Sequence, residues 1–268
     1  MDILNIDSLD FVIGNGCTEP IVGTGGNNKV VVKPFNNIQG NKVLINELVC
    51  YLIAQQLHLT TPECGICKID KFTKVDQSIY NLTDFGHNNN GLGFYSTYLP
   101  NVTVINNFKL IEFSQNYKWL IPSILLFDHL IYNSDRNKGN LLINTTKQSK
   151  KMYIIDHSHT FNKQCLWDSN QLSFCIKDND IEDVTIMESN SYLYSMFKKV
   201  IKVDLVSMLE AKNLFLNRLN KEFFYNIVNN IPSEWESNTS ENRALAEYLY
   251  YRFKNLDTLI NIILSYQY

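Results

Sequence analysis

Residues 127–143, FDHLIYNSDRNKGNLLI, and residues 153–161, YIIDHSHTF, together decide how the chain is read. An ordinary turn needs only one Asn and one Gly, yet here Asp135, Asn140 and Asp156 stand on two loops flanking short apolar runs. Asp135 and Asn140 are five positions apart, a spacing that lets a tight loop turn both side chains toward one centre, with Gly139 letting the chain turn between them. A helical run, SILLFDHLIY, precedes the loop and a strand, NLLI, follows it. Asp156 ends a second strand, MYIID, and a carboxylate after four mostly apolar residues is hard to explain as a plain surface turn. Such a set can serve a metal-phosphate centre: Asp135 near an attacking hydroxyl, Asn140 a magnesium ligand through its amide oxygen, and Asp156 the main magnesium ligand.

Phosphoryl transfer from a nucleotide also needs a Lys for the phosphates, an acid to hold that Lys, and a glycine turn over the phosphates. Lys33 ends the strand KVVVK, whose alternation lets its last side chain reach a cleft while the others pack. Glu47 lies in the apolar helical run VLINELVCYL, where an unpaired carboxylate would carry a desolvation penalty. A Lys33–Glu47 ion pair would account for both residues. For the glycine turn, GNGCTEP offers Gly14, Gly16, Cys17 and Thr18 as phosphate-binding positions, although it is neither G-x-G-x-x-G nor a Walker A sequence. GTGG, residues 23–26, is the other candidate and serves equally well as a hairpin turn.

Asp84-Phe85-Gly86 spells the magnesium motif of ordinary protein kinases, but it precedes Asp135, whereas a magnesium Asp should follow the catalytic loop. It is read as part of an exposed polar loop, NLTDFGHNNNGLG. His157 and His159 are read as shaping the loop or packing. Cys64 and Cys67 have metal-like spacing with no second pair to complete a tetrahedral zinc site, so they are read as small hydrophobes on a buried strand.

Strands are expected at Phe11 to Ile13, Pro20 to Val22 and Val30 to Lys33, then a helix over Asn41 to Leu57, a strand at GICKIDKF and another at FYSTYL ending at Pro100. Beyond it a helix is expected from about Phe113 to Tyr132, a hairpin from NLLIN and MYIID, and helices from about Asp180 onward. The fold class is therefore α+β with two lobes: residues 1–100 a small β-rich lobe, residues 101–268 a larger and mostly helical one.

Composition excludes several classes. With 268 residues, 45% of them hydrophobic, the chain has enough apolar material for a core. A net charge of −3 and a pI near 6.0 argue against a sequence-independent nucleic-acid binder. The longest apolar stretch, Trp119 to Tyr132, is interrupted by Pro122, Asp128 and His129 and falls short of the roughly 18–20 residues a membrane span requires. The acidic start MDILNIDSLD lacks the features of a signal peptide. Six scattered cysteines suit a reducing compartment, and a cytoplasmic location is expected.

The runs VVVKP…QGNKVLINELV, GFYSTYLP, LLFDHLIYNSDRNKGNLLI, YIIDHSHTF and IPSEW resemble the HipA-like kinases, in particular their compact stand-alone bacterial branch, over about residues 10–255. The Asp-Arg-x3-Asn pattern is also similar to the catalytic loop of phosphoinositide 3- and 4-kinases. The resemblance implies a two-lobed protein-kinase-like fold with ATP in the cleft. By motif, Lys33 would bind phosphate, Asp135 would be the catalytic Asp, and Asn140 and Asp156 would hold Mg2+. Ser96, Thr97, Tyr98 and Leu99 would form the hinge that meets the adenine edge. It further implies an ATP- and Mg-dependent phosphotransferase acting on a Ser/Thr hydroxyl of a protein substrate. Two alternatives stay open: a small-molecule or lipid kinase of the same fold, and a nucleotide-binding pseudokinase or scaffold. Some members of the wider family work with antitoxins. Such a partner is not indicated for a chain that begins almost directly at the kinase core.

Overall fold

The computed structural model describes residues 1–14, 20–35, 39–82, 85, 90–146 and 149–266. Its first part contains β1 (Leu4–Asn5), β2 (Ser8–Val12), β3 (Ile21–Gly25), β4 (Asn28–Lys33), α1 (Lys42–Gln56), β5 (Cys64–Ile69), β6 (Lys74–Val75) and β7 (Gly91–Thr97). These strands make one mixed sheet in the order β1-β5-β7-β4-β3-β2-β6. β3 and β4 are joined through Gly26 and Asn27, both at positive φ (53° and 67°). Positive φ at both positions is what a two-residue type I′ hairpin turn requires. Gly23 has a different reason to be glycine. It faces the bulge between Leu9 and Phe11, where a Cβ would meet Ser8 O at 2.2 Å.

α1 buries every residue from Val43 to Tyr51, so it shows no polar stripe. It packs against β5 and β7 on one side, and its apolar residues belong to a core that runs on into the helices of the second lobe. A smaller core, built on Ile6, Leu9, Ile21, Val30, Val32, Cys67 and Ile69, includes Ile79 and Phe85.

The second part contains β8 (Val102–Val104), α2 (Phe108–Phe113), α3 (Tyr117–Leu130), β9 (Leu141–Asn144), β10 (Met152–Ile154), α4 (Ser169–Lys177), α5 (Thr185–Ser189), α6 (Ser191–Val200), α7 (Leu205–Arg218), α8 (Lys221–Ile227), α9 (Thr239–Lys254) and α10 (Leu256–Ser265). β10, β9 and β8 form a small antiparallel sheet. α3 is the central helix, packed against α7, α9 and α10. No helix among the described residues is long and apolar enough to cross a membrane.

Several expectations are corrected. The first strand pair of the sheet begins earlier than Phe11, at Ser8, where Leu9 enters the core. β1, β6 and β8 were not expected, because two or three residues give no readable alternation. The helix expected from about Phe113 to Tyr132 is α3, which starts only at Tyr117, and the separate α2, ending at Phe113, was not expected; Asn116 lies between them. That side chain is spent on β10, donating from Nδ2 to Met152 O at 2.9 Å and accepting from Met152 N at 2.9 Å. α4 precedes the expected helical onset near Asp180, capped by Asp168 and Gln171 in a capping box. Phe85 is not on an exposed loop but only 6% exposed, in the smaller core. Its neighbours Asp84 and Gly86 lie outside the described residues.

Candidate active site

Lys33, the last residue of β4, is 8% exposed. Its Nζ donates to Glu47 Oε1, to Ser158 Oγ at 2.7 Å and to Asp156 Oδ1 at 3.1 Å. Glu47 comes from the buried face of α1, and its Oε2 accepts the His157 N–H at 3.1 Å. Burial alone would push the Lys33 ammonium down, but the charges of Asp156 and Glu47 outweigh it and hold the pKa well above the ordinary lysine value. Burial would likewise raise Glu47 and Asp156, and Lys33 holds both carboxyls below their usual range. All three groups are therefore charged at neutral pH, one cation between two carboxylates at the junction of the two lobes.

The loop carrying Asp135 is held from beneath. Arg136, 1% exposed, donates to both oxygens of Asp128 on α3 through Nε and Nη2, at 2.9–3.2 Å. Its Nη1 reaches Ile155 O at 2.9 Å, tying the loop to the residue before Asp156. Asn190 completes the frame, accepting the Arg136 N–H at 2.8 Å and donating to Asn133 O at 2.8 Å. Asp135 itself points outward, its side chain 47% exposed. Its N–H donates to Asn133 Oδ1 at 3.0 Å, and its carbonyl accepts from Asn140 Nδ2 at 2.7 Å. Its Oδ2 lies 3.5 Å from His159 Nδ1.

That last Asn140 bond commits the amide nitrogen, and among the described residues no hydrogen bond is made by the amide oxygen. Ile155 N–H donates to Asn140 O at 3.1 Å, so Asp156 leaves β10 beside Asn140. Asp156 sits at φ +58°, a left-handed conformation that a non-glycine residue adopts only when its surroundings enforce it. Lys33 Nζ, Ser158 N–H and Ser158 Oγ all donate to its Oδ1, and Oδ2 has no hydrogen bond among the described residues. A carboxylate oxygen and an amide oxygen are hard donors of the kind Mg2+ takes, and Mg2+ usually completes its shell with waters and substrate phosphates. Among the described residues no cluster of three or more His, Cys, Asp or Glu side chains is arranged to hold a metal. The two oxygens therefore fit a metal shared with phosphates and not one enclosed by protein.

The other expected positions fall as follows. Ser96 and Thr97 end β7, followed by Tyr98 and Leu99. Thr97 N–H is spent on Glu63 O at 2.7 Å and Tyr98 N–H on Lys29 O at 3.0 Å. Gly14 is exposed, with open space where a Cβ would stand. Gly16, Cys17 and Thr18 lie outside the described residues. His157 is sealed edge-on between Tyr51 and Phe127, and burial lowers its pKa. Cys64 and Cys67 lie on β5.

Sequence reasoning missed four residues of the site. Ser158 Oγ touches Lys33, Glu47 and Asp156 within 2.9 Å, and Asn46 anchors the segment after Asp156. Arg136 and Asp128 hold the loop. A polar residue inside the apolar runs VLINEL and LLFDHL was the available signal, because a buried polar group requires a partner.

A family model described as HipA-like kinase matches residues 11–259. Among solved structures, the chain is similar to the Helicobacter pylori proinflammatory kinase CtkA, at 13% identity and a TM-score of 0.61 over 100% of both chains. It is also similar to the Golgi casein kinase with Mn/ADP bound, at 11% identity and a TM-score of 0.55 over 98% of this chain and 73% of that one. At these identities the likeness establishes a protein-kinase-like fold. No curated protein sequence matches the chain.

Proposed function

The chain belongs to the HipA-like kinase family, and on that premise we propose that it is an ATP- and Mg-dependent phosphotransferase acting on a Ser or Thr hydroxyl of a protein. The observation that carries the reading is the contact of Lys33 with Asp156, 123 residues apart in sequence. It gathers a phosphate-binding cation, its retaining acid Glu47 and a metal-binding carboxylate at one point, beside the loop of Asp135 and Asn140. A structural neighbour that is a kinase with Mn/ADP bound supports the nucleotide and the divalent metal.

In this reading Asp156 and Asn140 hold the metal. When bound, Mg2+ supplies charge neutralisation for the transferred phosphate. Lys33 donates to the phosphate oxygens, and Glu47 keeps that ammonium charged and aimed. Asp135 orients the acceptor hydroxyl and accepts its proton, on a loop kept rigid by Arg136 and Asp128. Adenine lies along residues 96–99 and meets Leu99 and carbonyl groups, since Thr97 and Tyr98 have already spent their N–H groups in the sheet. The lobes divide near residue 100.

The test is transfer of labelled γ-phosphate by the purified chain, with Asp135→Ala and Asp156→Ala as controls. A wild type without ATP turnover, autophosphorylation or Mg-dependent nucleotide binding would falsify the kinase reading. Label found only on lipids or metabolites would leave the kinase and remove the protein acceptor.

A further inference from the structure

Along residues 157–160 the chain buries His157, Ser158 and Thr160 to 1% exposure or less. It turns only His159 outward, its side chain 24% exposed. His159 faces the outward carboxylate of Asp135, on the other loop of the site. The two oxygens of that carboxylate have different neighbours: Oδ1 accepts from Asn137 Nδ2 at 3.2 Å, while Oδ2 lies 3.5 Å from His159 Nδ1. The backbone of Asp135 is pinned on both sides by Asn133 and Asn140, so its carboxylate cannot leave His159 by moving the loop.

A nitrogen–oxygen separation of 3.5 Å is longer than a formed hydrogen bond. The contact is thus one that a proton on the imidazole tightens and that an incoming hydroxyl can displace. Of the two carboxylate oxygens, Oδ2 is the one without a formed bond among the described residues, and of these only His159 competes for it with an acceptor hydroxyl. Resting on the kinase reading above, we propose that His159 is the positioning residue of Asp135, holding Oδ2 when protonated and releasing it to the acceptor hydroxyl when neutral. In the transfer step the acceptor oxygen forms the new P–O bond. The P–O bond to the nucleoside diphosphate breaks with its electron pair leaving on that diphosphate, and the acceptor proton passes to Oδ2. A protonated His159 occupies the site of that last event.

The charged groups facing His159 are Asp135 on the catalytic loop, Asp156 on its own segment and Lys33 at the end of β4. The Asp135 carboxylate facing the ring raises the His159 pKa first, burial opposes it, and the two carboxylates together keep it above the ordinary histidine value. Protonation of His159 therefore extends further toward neutrality than for a free histidine. Phosphotransfer should rise with pH through that titration.

Two measurements test the role. The first is kcat/KM for protein phosphorylation against pH for the wild type and His159→Gln. An acid limb falling about tenfold per pH unit is expected in the wild type, and a profile flat from about pH 5.5 to 8 in the variant. The second reads no activity: the His159 ring signal is titrated by NMR, without nucleotide, in the wild type and in Asp135→Asn. A midpoint lowered in Asp135→Asn is expected. An acid limb that survives in His159→Gln, or a His159 midpoint unmoved by Asp135→Asn, would overturn the proposal. A wild type that transfers no phosphate is a different result: it overturns the kinase reading, and the positioning role with it, whatever the titration gives.

Discussion

Trp167 Nε1 donates to Asn46 Oδ1 at 2.8 Å, so the segment after Asp156 is bolted to the helix that carries Glu47. The same Asn46 donates from Nδ2 to Ser158 O at 2.6 Å and to Gln164 O at 3.0 Å. Lys42, one turn earlier on α1, stacks over the Trp167 ring with Nζ 3.7 Å from its centroid and pairs with Glu241 on α9 at 2.7 Å. Glu47 therefore meets Lys33 on a helix that the second lobe already holds in place.

Asn46→Leu follows directly from this geometry. The substitution keeps the branched four-atom side chain at a fully buried position but strands one N–H and two carbonyls, each worth about 1–3 kcal/mol when left unsatisfied. A loss of about 2–5 kcal/mol is expected in urea denaturation. Trp167→Phe strands only Asn46 Oδ1 and should fall at the low end of that range. Equal losses for the two variants would contradict the anchoring role of Asn46.

Legibility in the sequence followed the range of the forces involved. The β3–β4 turn, the periodicity of α1 and the β9–β10 hairpin rest on local chemistry, and their residue types announce them. Lys33 and Glu47 were readable as a pair because each was unexplained without the other. Residues 157–167 were not readable. Phe161, Asn162 and Gln164 all adopt positive φ, conformations that no local preference of Phe or Gln selects. They are imposed from outside, by Asn46 on Gln164 and by Ile131 O accepting the Phe161 N–H at 2.9 Å. The hydrogen bond from Trp235 Nε1 to Leu92 O at 2.6 Å is of the same kind, joining segments 143 residues apart.

The Lys33–Glu47 pair should respond unequally to loss of its two members. Lys33→Met leaves Glu47 as a buried charge, 1% exposed, without its cation, and a loss of about 3–5 kcal/mol is expected. In Glu47→Gln the ammonium keeps Asp156 and Ser158, so a smaller loss is expected. The double variant should be more stable than the sum of the two losses predicts, because neither member is then left alone. Chemical denaturation of the four proteins closes this cycle, and simple additivity would mean that the pair is not coupled.

Asp128→Ala should be among the most damaging substitutions in the chain. Among the described residues it removes the only carboxylate that pairs with the Arg136 guanidinium, at a site where both side chains are fully buried, and a loss of about 3–5 kcal/mol is expected. Tyr194→Phe removes two hydrogen bonds of the same hydroxyl, its 3.0 Å donation to Asp128 and the 3.1 Å bond it accepts from Asn190 Nδ2, at about 1 kcal/mol each. Its stability should fall less than that of Asp128→Ala while kcat falls too, since the Asp135 loop loses part of its support. A Tyr194→Phe variant with unchanged kcat would show that the loop is rigid without these bonds.

Acid stability isolates a residue outside the Lys33–Glu47–Asp156 cluster. His129, fully buried on α3, is held near the helix backbone by Leu125 O, 2.9 Å from its Nδ1, and its Nε2 has no hydrogen-bond partner among the described residues. Burial pushes its pKa down to about 3, with Arg252 adding to the effect. The folded state thus keeps the ring neutral, whereas the unfolded chain protonates it below an ordinary pKa of about 6.5. The contribution is fully present above about pH 6.5 and drains away as the pH falls toward about 3, by at most about 1.4 kcal/mol per pH unit. His129→Leu has no proton to take up. Its urea midpoint should therefore fall less than that of the wild type between about pH 7 and pH 4, and the difference between the two curves isolates the histidine from the carboxylates that titrate in both. Parallel curves would mean that the His129 ring can be charged in place, and that the core around α3 admits water.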